Sequence, residues 1–267
     1  MRLFWILFAL VVVYTTPVRA DWTPRSKALY EQAQKEQKFP DPKDMIVQSV
    51  PMRNGRSFFL VARPINQEPK RWIVSLPGTR GYATDELSLW AKVLNKRAIG
   101  IIEVQIWLGT GDGMMSYLAP SQIYPEISRL MSDQAILPGK SMLHGFSRGS
   151  SLIYALAALD RVKGRKFFNV FVANSGGMSV DFPESQAIDS GQYGQSPYKG
   201  TQWVTVCGAK DPKPERDGCP AMKRTTAWLK ERGAKIALSI EDPEGGHGAL
   251  HTNPENAEKL LDWYMKE

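Results

Sequence analysis

Ser147 stands between two glycines in the run Gly145–Gly149 (GFSRG). The residues just before it, 141–144, have the composition of a buried strand, and residues 150–159 have strong helical character. A tight turn from a strand into a helix exposes the serine hydroxyl and directs the partial positive charge of the helix N-terminus towards it. The pattern therefore predicts a nucleophilic serine. The alternative is an ordinary strand–helix connection with a helix-capping serine.

The rest of the chain shows strands alternating with helices, which must position this serine. The predicted strands are 45–50, 57–62, 72–76, 98–104, 141–144, 167–172, 202–206 and 235–240, and the predicted helices are 24–38, 85–97, 121–134, 150–159, 221–232 and 254–265. Such alternation implies parallel pairing with right-handed crossovers, so that helices cover both faces of the sheet. Ligands of such sheets bind at the carboxyl ends of the strands, where Ser147 is placed.

The chain resembles the α/β-hydrolase family in three features. These are the Gly145–Gly149 turn as nucleophile elbow, the run Leu76–Gly81 (LPGTRG) as oxyanion loop, and the chain order serine, aspartate, histidine. The resemblance extends from about Ile46 to the C-terminus. It implies an α/β-hydrolase fold with an eight-stranded, mostly parallel sheet that begins antiparallel, and a reaction without a cofactor. Many members have His-Gly where this chain has Pro77-Gly78, which points away from the lipase and hormone-sensitive branches.

The resemblance also assigns two backbone N–H groups to the oxyanion of a tetrahedral intermediate. One belongs to Arg148, the residue after the nucleophile. The other belongs to Thr79, when the loop is aligned on that of the family, because Pro77 has no N–H group to donate. A plain Pro-Gly turn is the alternative for this loop.

Three histidines are candidates for the base, and no metal site is expected. His144 is expected to pack beside the sheet. His247 lies in the glycine-rich run Gly245–Gly248, before the last predicted helix, where the family places its base. His251 is the alternative. The spacing of His247 and His251 also fits helical zinc ligands, but the intervening glycine is a poor helix former and no glutamate occupies the required position.

Three aspartates are candidates for the carboxylate that orients the base. Asp211 follows the predicted strand 202–206, in the position that the family uses after its penultimate strand. Asp217 in the same loop is the first alternative, and Asp181, after the strand 167–172, is the second. We predict Asp211; a surface aspartate in a Lys-Asp-Pro turn is the plainer interpretation.

The two cysteines, Cys207 and Cys219, are predicted to form a disulfide, since the chain carries an export signal. In residues 1–20, Arg2 precedes an apolar run, and Val18-Arg19-Ala20 offers small residues to a signal peptidase. The apolar run is shorter than the about 20 residues that span a bilayer, so cleavage after Ala20 is predicted rather than a membrane anchor. A buried strand cysteine with a free thiol elsewhere is the alternative to the disulfide.

The predicted signal implies a secreted or periplasmic protein, and the length favours a single domain in residues 21–267. Apolar residues make up 43% of the chain and charged residues 23%, as in ordinary globular proteins. Removing residues 1–20 removes two arginines and no acid, so the formal net charge falls from +7 to +5. No dense basic stripe with interleaved aromatic residues is present, and nucleic acid is not an expected partner.

These features together predict a serine hydrolase that acts on a small, soluble carboxylic ester through an acyl-enzyme. The loop 107–118 could wall an apolar pocket or simply pack on the surface. Arg80 and Arg148 flank the expected site, where they would favour an anionic substrate group or pair with acids. A serine peptidase or amidase on the same fold, and a non-catalytic binding protein, are the alternatives.

Overall fold

A computed structural model of the protein describes residues 20–36, 42–94, 97–162 and 164–267. In these ranges eight strands form one sheet: β1 (Met45–Pro51), β2 (Phe58–Pro64), β3 (Arg71–Leu76), β4 (Ile99–Val104), β5 (Ser141–Phe146), β6 (Phe168–Asn174), β7 (Gln202–Gly208) and β8 (Lys235–Asp242). The α-helices are α1 (Pro24–Glu36), α2 (Ala83–Val93), α3 (Pro120–Asp133), α4 (Arg148–Val162), α5 (Pro183–Asp189), α6 (Cys219–Glu231), α7 (Ala249–Thr252) and α8 (Pro254–Tyr264).

The strands lie in the order β1-β2-β4-β3-β5-β6-β7-β8. The pairs β1–β2 and β2–β4 are antiparallel, and every other pair is parallel. This confirms the expected eight-stranded, mostly parallel sheet with an antiparallel beginning. The chain leaves β3 towards β4 on one side and later returns to β5 on the other, so a crevice forms at the carboxyl ends of β3 and β5. Leu76 pairs with Gly145 at that edge, which places the oxyanion loop beside the elbow.

The central strands are buried because helices pack against the sheet. All six residues of β4 are buried, as expected for a strand inside a sheet that is covered on both faces. On α3, Ile123, Ile127 and Leu130 recur at helical spacing, and all three are buried. Strand β4 lies close to β3: a Cβ at Gly100 would come within 2.6 Å of the Trp72 indole.

The predicted elements differ from the structure mainly at their ends and in two short helices. Helix α4 begins at Arg148, directly after Ser147, rather than at residue 150. The prediction missed α5 and α7, because segments of seven and four residues are too short to show an apolar period. The predicted signal peptide lies outside the described residues except for Ala20, and it stays a prediction. No helix within the described part of the chain is long and apolar enough to cross a membrane.

A disulfide joins Cys207 at the end of β7 to Cys219 at the start of α6, with 5.1 Å between their Cα atoms. This confirms the predicted pairing. The twelve-residue separation closes a loop that carries both Asp211 and Asp217. The covalent bond therefore limits how far this loop can open without unfolding of the strand or the helix.

Removing the disulfide is expected to destabilise the protein without changing its fold. A loop of this size is worth about 3 kcal/mol in the chain-entropy description, so the double variant Cys207→Ala/Cys219→Ala should melt about 6–12 °C lower. Thermal unfolding followed by circular dichroism measures the shift. As a control, reductant should lower the melting temperature of the wild type but not that of the double variant. Equal melting temperatures for the two proteins would contradict this contribution.

Candidate active site

Ser147 sits on a strained turn between β5 and α4. Its φ angle is 51°, in the left-handed region that non-glycine residues seldom adopt, and its N–H donates to the Asn174 carbonyl at 2.9 Å. A Cβ at Gly145 would lie 2.4 Å from the Gly149 carbonyl oxygen, and one at Gly149 would lie 2.3 Å from the Leu76 carbonyl oxygen. Both flanking positions therefore require glycine, as the sequence pattern indicated. The turn presents the serine hydroxyl at the crevice between β3 and β5.

The three residues predicted as nucleophile, base and acid come together in one hydrogen-bonded row. His247 Nε2 lies 3.0 Å from Ser147 Oγ, and His247 Nδ1 lies 2.8 Å from Asp211 Oδ2. A carboxylate only accepts, so the Nδ1–H group donates to Asp211 and leaves Nε2 free to accept from the serine hydroxyl. Asp211 is buried, and its other oxygen accepts from the Lys213 N–H at 2.8 Å. The imidazole is thus fixed in both tautomer and orientation.

Two neighbouring loops place the aspartate and the histidine. The loop after β7 is joined to the loop after β8 by backbone hydrogen bonds from Ala209 N–H to the Asp242 carbonyl and from Lys210 N–H to the Gly245 carbonyl, both 2.9 Å long. Asp242 also accepts from the Gly245 N–H at 2.8 Å through its carboxylate. The base and its acid are therefore held by one hydrogen-bonded pair of loops.

The geometry distinguishes Asp211 from its two alternatives. The Asp217 carboxylate is buried nearby, but Arg216 binds it through Nε at 2.8 Å and Nη2 at 2.6 Å. Asp181 is exposed ahead of α5, and no contact joins it to His247 in the described structure. Among the three aspartates, Asp211 is the one that bonds the imidazole.

The oxyanion loop passes directly beside the nucleophile. A Cβ at Gly78 would lie 3.3 Å from the Ser147 Cβ, which is the distance of a tight packing contact. Arg148 is the first residue of α4, so its N–H has no acceptor within the helix. No described residue accepts a hydrogen bond from the N–H of Thr79 or of Arg148. The two predicted donors thus lie on segments that adjoin the serine, and neither donates to another described residue.

A cavity of about 560 Å³ opens over the serine. Thr79, Phe146 and the row of three lie in its wall, together with the charged residues Asp85, Glu86, Lys213, Arg216, Asp217 and His251. No residue of the 107–118 loop is in this wall, but Met114, Met115, Tyr117 and Leu118 line a second cavity of about 330 Å³ together with Arg148. That the loop walls a substrate pocket stays a prediction. The two flanking arginines are already engaged: Arg80 pairs with Asp112 at 2.7 Å, and the Arg148 guanidinium lies 3.8 Å from the centre of the Tyr117 ring.

One possible set of metal ligands overlaps the row of three. Within the described ranges, one set of potential ligand atoms lies within 4.8 Å of one another, and it comprises Asp211, Asp217 and His247. His251 is not part of this set. The Arg216 guanidinium on Asp217 places a positive charge beside the set, which disfavours a cation there.

Solved structures similar to this chain include esterases and other hydrolases. An esterase/lipase from an uncultured bacterium has a TM-score of 0.63 at 13% identity, with 92% of each chain covered. A putative dienelactone hydrolase from Klebsiella pneumoniae has a TM-score of 0.61 at 14% identity, covering 84% of this chain and 99% of that one. An esterase from the archaeon Pyrobaculum calidifontis has a TM-score of 0.59 at 17% identity, covering 90% and 88%.

The chain has the α/β-hydrolase fold. This confirms the fold that the elbow, the oxyanion loop and the order of the three residues suggested. No protein-family model and no curated protein sequence matches the chain. The likeness is therefore one of backbone arrangement, at sequence identities too low to carry over a substrate.

In this α/β-hydrolase fold, a buried network of acids and imidazoles lies under the cavity, and sequence reasoning missed it. Glu86 on α2 is fully buried, and its Oε1 lies 3.1 Å from His251 Nε2. Its other oxygen accepts from the Ser75 hydroxyl at 3.2 Å, and Ser75 Oγ lies 2.8 Å from His144 Nδ1. The Phe146 ring contacts both histidine rings of the site, with ring-centre distances of 5.0 Å to His247 and 4.3 Å to His251.

Burial and charge set the protonation of the network. Burial opposes charge on His251, but the Glu86 carboxylate outweighs it and raises the pKa of His251. Burial likewise opposes charge on Glu86, and His251 outweighs it, so the pKa of Glu86 is lowered. Burial lowers the pKa of His144 to about 4 and raises the pKa of Glu103 well above its ordinary range. These shifts favour a charged Glu86–His251 pair, a neutral His144 imidazole and a protonated Glu103 carboxyl group.

One signal in the sequence could have revealed Glu86. It precedes Leu89 and Trp90 by three and four residues, so it lies on the apolar face of its helix. A carboxylate on such a face must have a partner inside the protein. The identity of that partner, His251, depends on a contact 165 residues away along the chain.

Glu103 is expected to make the protein less stable as the pH rises. Neither of its carboxyl oxygens has a hydrogen-bond partner among the described residues. Its pKa is raised on folding, so its contribution is fully present below the ordinary value of 4.5 and is lost as the pH rises towards the folded value. Glu103→Gln keeps the shape without the charge and should raise the melting temperature at pH 8 by about 3–6 °C.

The measurement is thermal unfolding of both proteins at several values between pH 4 and pH 8. The gain from Glu103→Gln should shrink towards pH 4, where the wild-type carboxyl is protonated in both states. Glu68→Gln, at an exposed position, is the matched control and should show no such trend. A gain that is the same at every pH would show that Glu103 does not titrate in this way.

Proposed function

We propose that this protein is a serine hydrolase that cleaves small, soluble carboxylic esters through an acyl-enzyme. The observation that carries the proposal is the row from Ser147 Oγ through His247 to Asp211, at the edge of a cavity of about 560 Å³. A serine, an imidazole and a buried carboxylate in this order form a nucleophile with its base and orienting acid. Esterases among the similar solved structures support an ester as the substrate.

In the proposed reaction, Ser147 Oγ attacks the ester carbonyl carbon while His247 Nε2 takes the hydroxyl proton. The Asp211 carboxylate stabilises the imidazolium that forms. The N–H groups of Thr79 and Arg148 hold the oxygen of the tetrahedral intermediate, which carries the negative charge. The C–O bond to the alcohol then breaks, and His247 gives its proton to the leaving oxygen.

Water completes the cycle by the same steps in reverse. His247 removes a proton from water as the water oxygen attacks the acyl-enzyme carbonyl. The second tetrahedral intermediate collapses, the bond to Ser147 breaks, and the serine oxygen recovers a proton from the imidazolium. The free acid leaves and the hydroxyl is restored. Apart from the ester and water, these steps use only the three side chains of the row and the two N–H donors.

A serine peptidase or amidase would use the same row, and the two reactions differ in the leaving group. An amine leaving group must be protonated as it departs, whereas an alkoxide or phenolate leaves more readily. We therefore expect hydrolysis of p-nitrophenyl acetate without hydrolysis of peptide anilides. The reverse preference would identify an amidase and would contradict the ester assignment while leaving the nucleophile in place.

Ser147→Ala is expected to abolish ester hydrolysis and covalent labelling. The variant should lower kcat on p-nitrophenyl acetate by more than about 10⁴-fold, because the other members of the row act through the serine. A fluorophosphonate probe should label the wild type and leave the variant unlabelled. Ser151→Ala, one turn further along α4, is the matched control and should retain both properties. A wild-type protein that neither hydrolyses esters nor reacts with the probe would point to the non-catalytic binding protein.

The two buried aspartates of the disulfide loop should differ sharply in their effect on activity. Asp211→Asn should lower kcat by about 10³–10⁴-fold, because an amide cannot hold the imidazole tautomer with a proton on Nδ1. Asp217→Asn should lower it by less than about tenfold, since Arg216 rather than His247 binds that carboxylate. Steady-state kinetics of the two variants, with melting temperatures for comparison, test the assignment. A larger loss in Asp217→Asn would make Asp217 the orienting acid.

A further inference from the structure

Tyr117 is held rigidly at the end of the 107–118 loop. It is 6% exposed and pairs with Trp107 in an antiparallel bridge. Two backbone hydrogen bonds of 2.9 Å close the loop on either side of that bridge, from Leu118 N–H to the Ile106 carbonyl and from Leu108 N–H to the Ser116 carbonyl. The phenol therefore has a fixed position relative to the sheet.

The Tyr117 hydroxyl holds the backbone of the oxyanion loop. It accepts a hydrogen bond from the Arg80 N–H at 3.0 Å, and Arg80 directly follows Thr79. Arg80 has a φ angle of 56°, in the left-handed region that costs a non-glycine residue about 1 kcal/mol. Such a conformation persists where surrounding contacts determine it, and the phenol supplies one of these contacts.

The Tyr117 ring also holds the residue that follows the nucleophile. The Arg148 guanidinium lies over the ring face, 3.8 Å from its centre, in a cation–π contact. Asp112 of the same loop strengthens both connections: its carboxylate binds Arg80 Nη2 at 2.7 Å, and its carbonyl oxygen accepts from Arg148 Nη2 at 3.3 Å. One loop therefore contacts both segments that carry the proposed oxyanion donors.

An oxyanion hole works only when both N–H groups lie about 3 Å from the same oxygen position. Here the two groups, of Thr79 and Arg148, come from separate crossovers of the chain. We propose that Tyr117 is a positioning residue that fixes the spacing between these two N–H groups. It is absent from the wall of the cavity and acts through the backbone of Arg80 and the side chain of Arg148. This inference rests on the proposed serine-hydrolase function.

The variant Tyr117→Phe tests the inference, because it keeps the ring under Arg148 and removes the acceptor of the Arg80 N–H. We expect kcat on p-nitrophenyl acetate to fall about tenfold with KM unchanged within about twofold, since the lost positioning matters only in the transition state. The second measurement uses a trifluoromethyl ketone, whose carbonyl carbon adds Ser147 Oγ to form a tetrahedral oxyanion. Its Ki should rise by the same factor as kcat/KM falls.

Tyr193→Phe is the matched control, since this tyrosine is absent from both the cavity wall and the 107–118 loop. It should leave kcat and Ki within about twofold of the wild type. The melting temperature of Tyr117→Phe should fall by no more than about 4 °C, the cost of one hydrogen bond, so that a tenfold loss of kcat reflects positioning rather than unfolding.

Two results would overturn the positioning role: unchanged kcat and Ki in Tyr117→Phe, or a raised KM with an unchanged Ki. The second would mean that the phenol contributes to substrate binding in the ground state. Failure of the proposed function has a different signature, since the wild type itself would then be inactive and unlabelled by the fluorophosphonate. That result would remove the positioning role as well.

Discussion

The left-handed backbone at Ser147 is the constraint on which the site depends. A non-glycine residue in this region costs about 1 kcal/mol or more, and here the close approach of the flanking backbones to Gly145 and Gly149 enforces it. With the turn in place, the hydroxyl reaches His247 Nε2, and the N–H of Arg148 is left without an acceptor in α4. A relaxed turn would direct the hydroxyl elsewhere and would leave the imidazole without its partner.

The Phe146 ring contacts the histidines of two carboxylate–imidazole pairs, and the surroundings of these pairs differ. The Asp211–His247 pair opens onto the cavity, where the imidazole side chain is 31% exposed and within hydrogen-bond reach of the serine. In the other pair, Glu86 is fully buried and His251 has no contact with Ser147. In that pair, the charge of each group offsets the unfavourable effect of burial on the charge of the other. The same two chemical groups thus contact the serine hydroxyl in one place and a buried polar network in the other.

The sequence was sufficient to predict most of the fold, because each strand and long helix carries its own apolar period. It also singled out Ser147, Asp211 and His247, whose loops follow recognisable strands. The short helices α5 and α7 were missed because they carry too few residues for a period to appear. Glu86 and Tyr117 were missed for another reason. Their partners are distant in sequence, and neither local composition nor spacing encodes a contact between Tyr117 and Arg80, 37 residues apart.

The sequence by itself determined the elbow, since two glycines around a serine between a strand and a helix permit few other backbone paths. It also determined the alternation of strands and helices. The tertiary structure decided which aspartate bonds His247, which histidine is buried against Glu86, and which loop holds the oxyanion segments. These contacts join segments that are far apart in the sequence. They depend on how the segments pack once the sheet has formed.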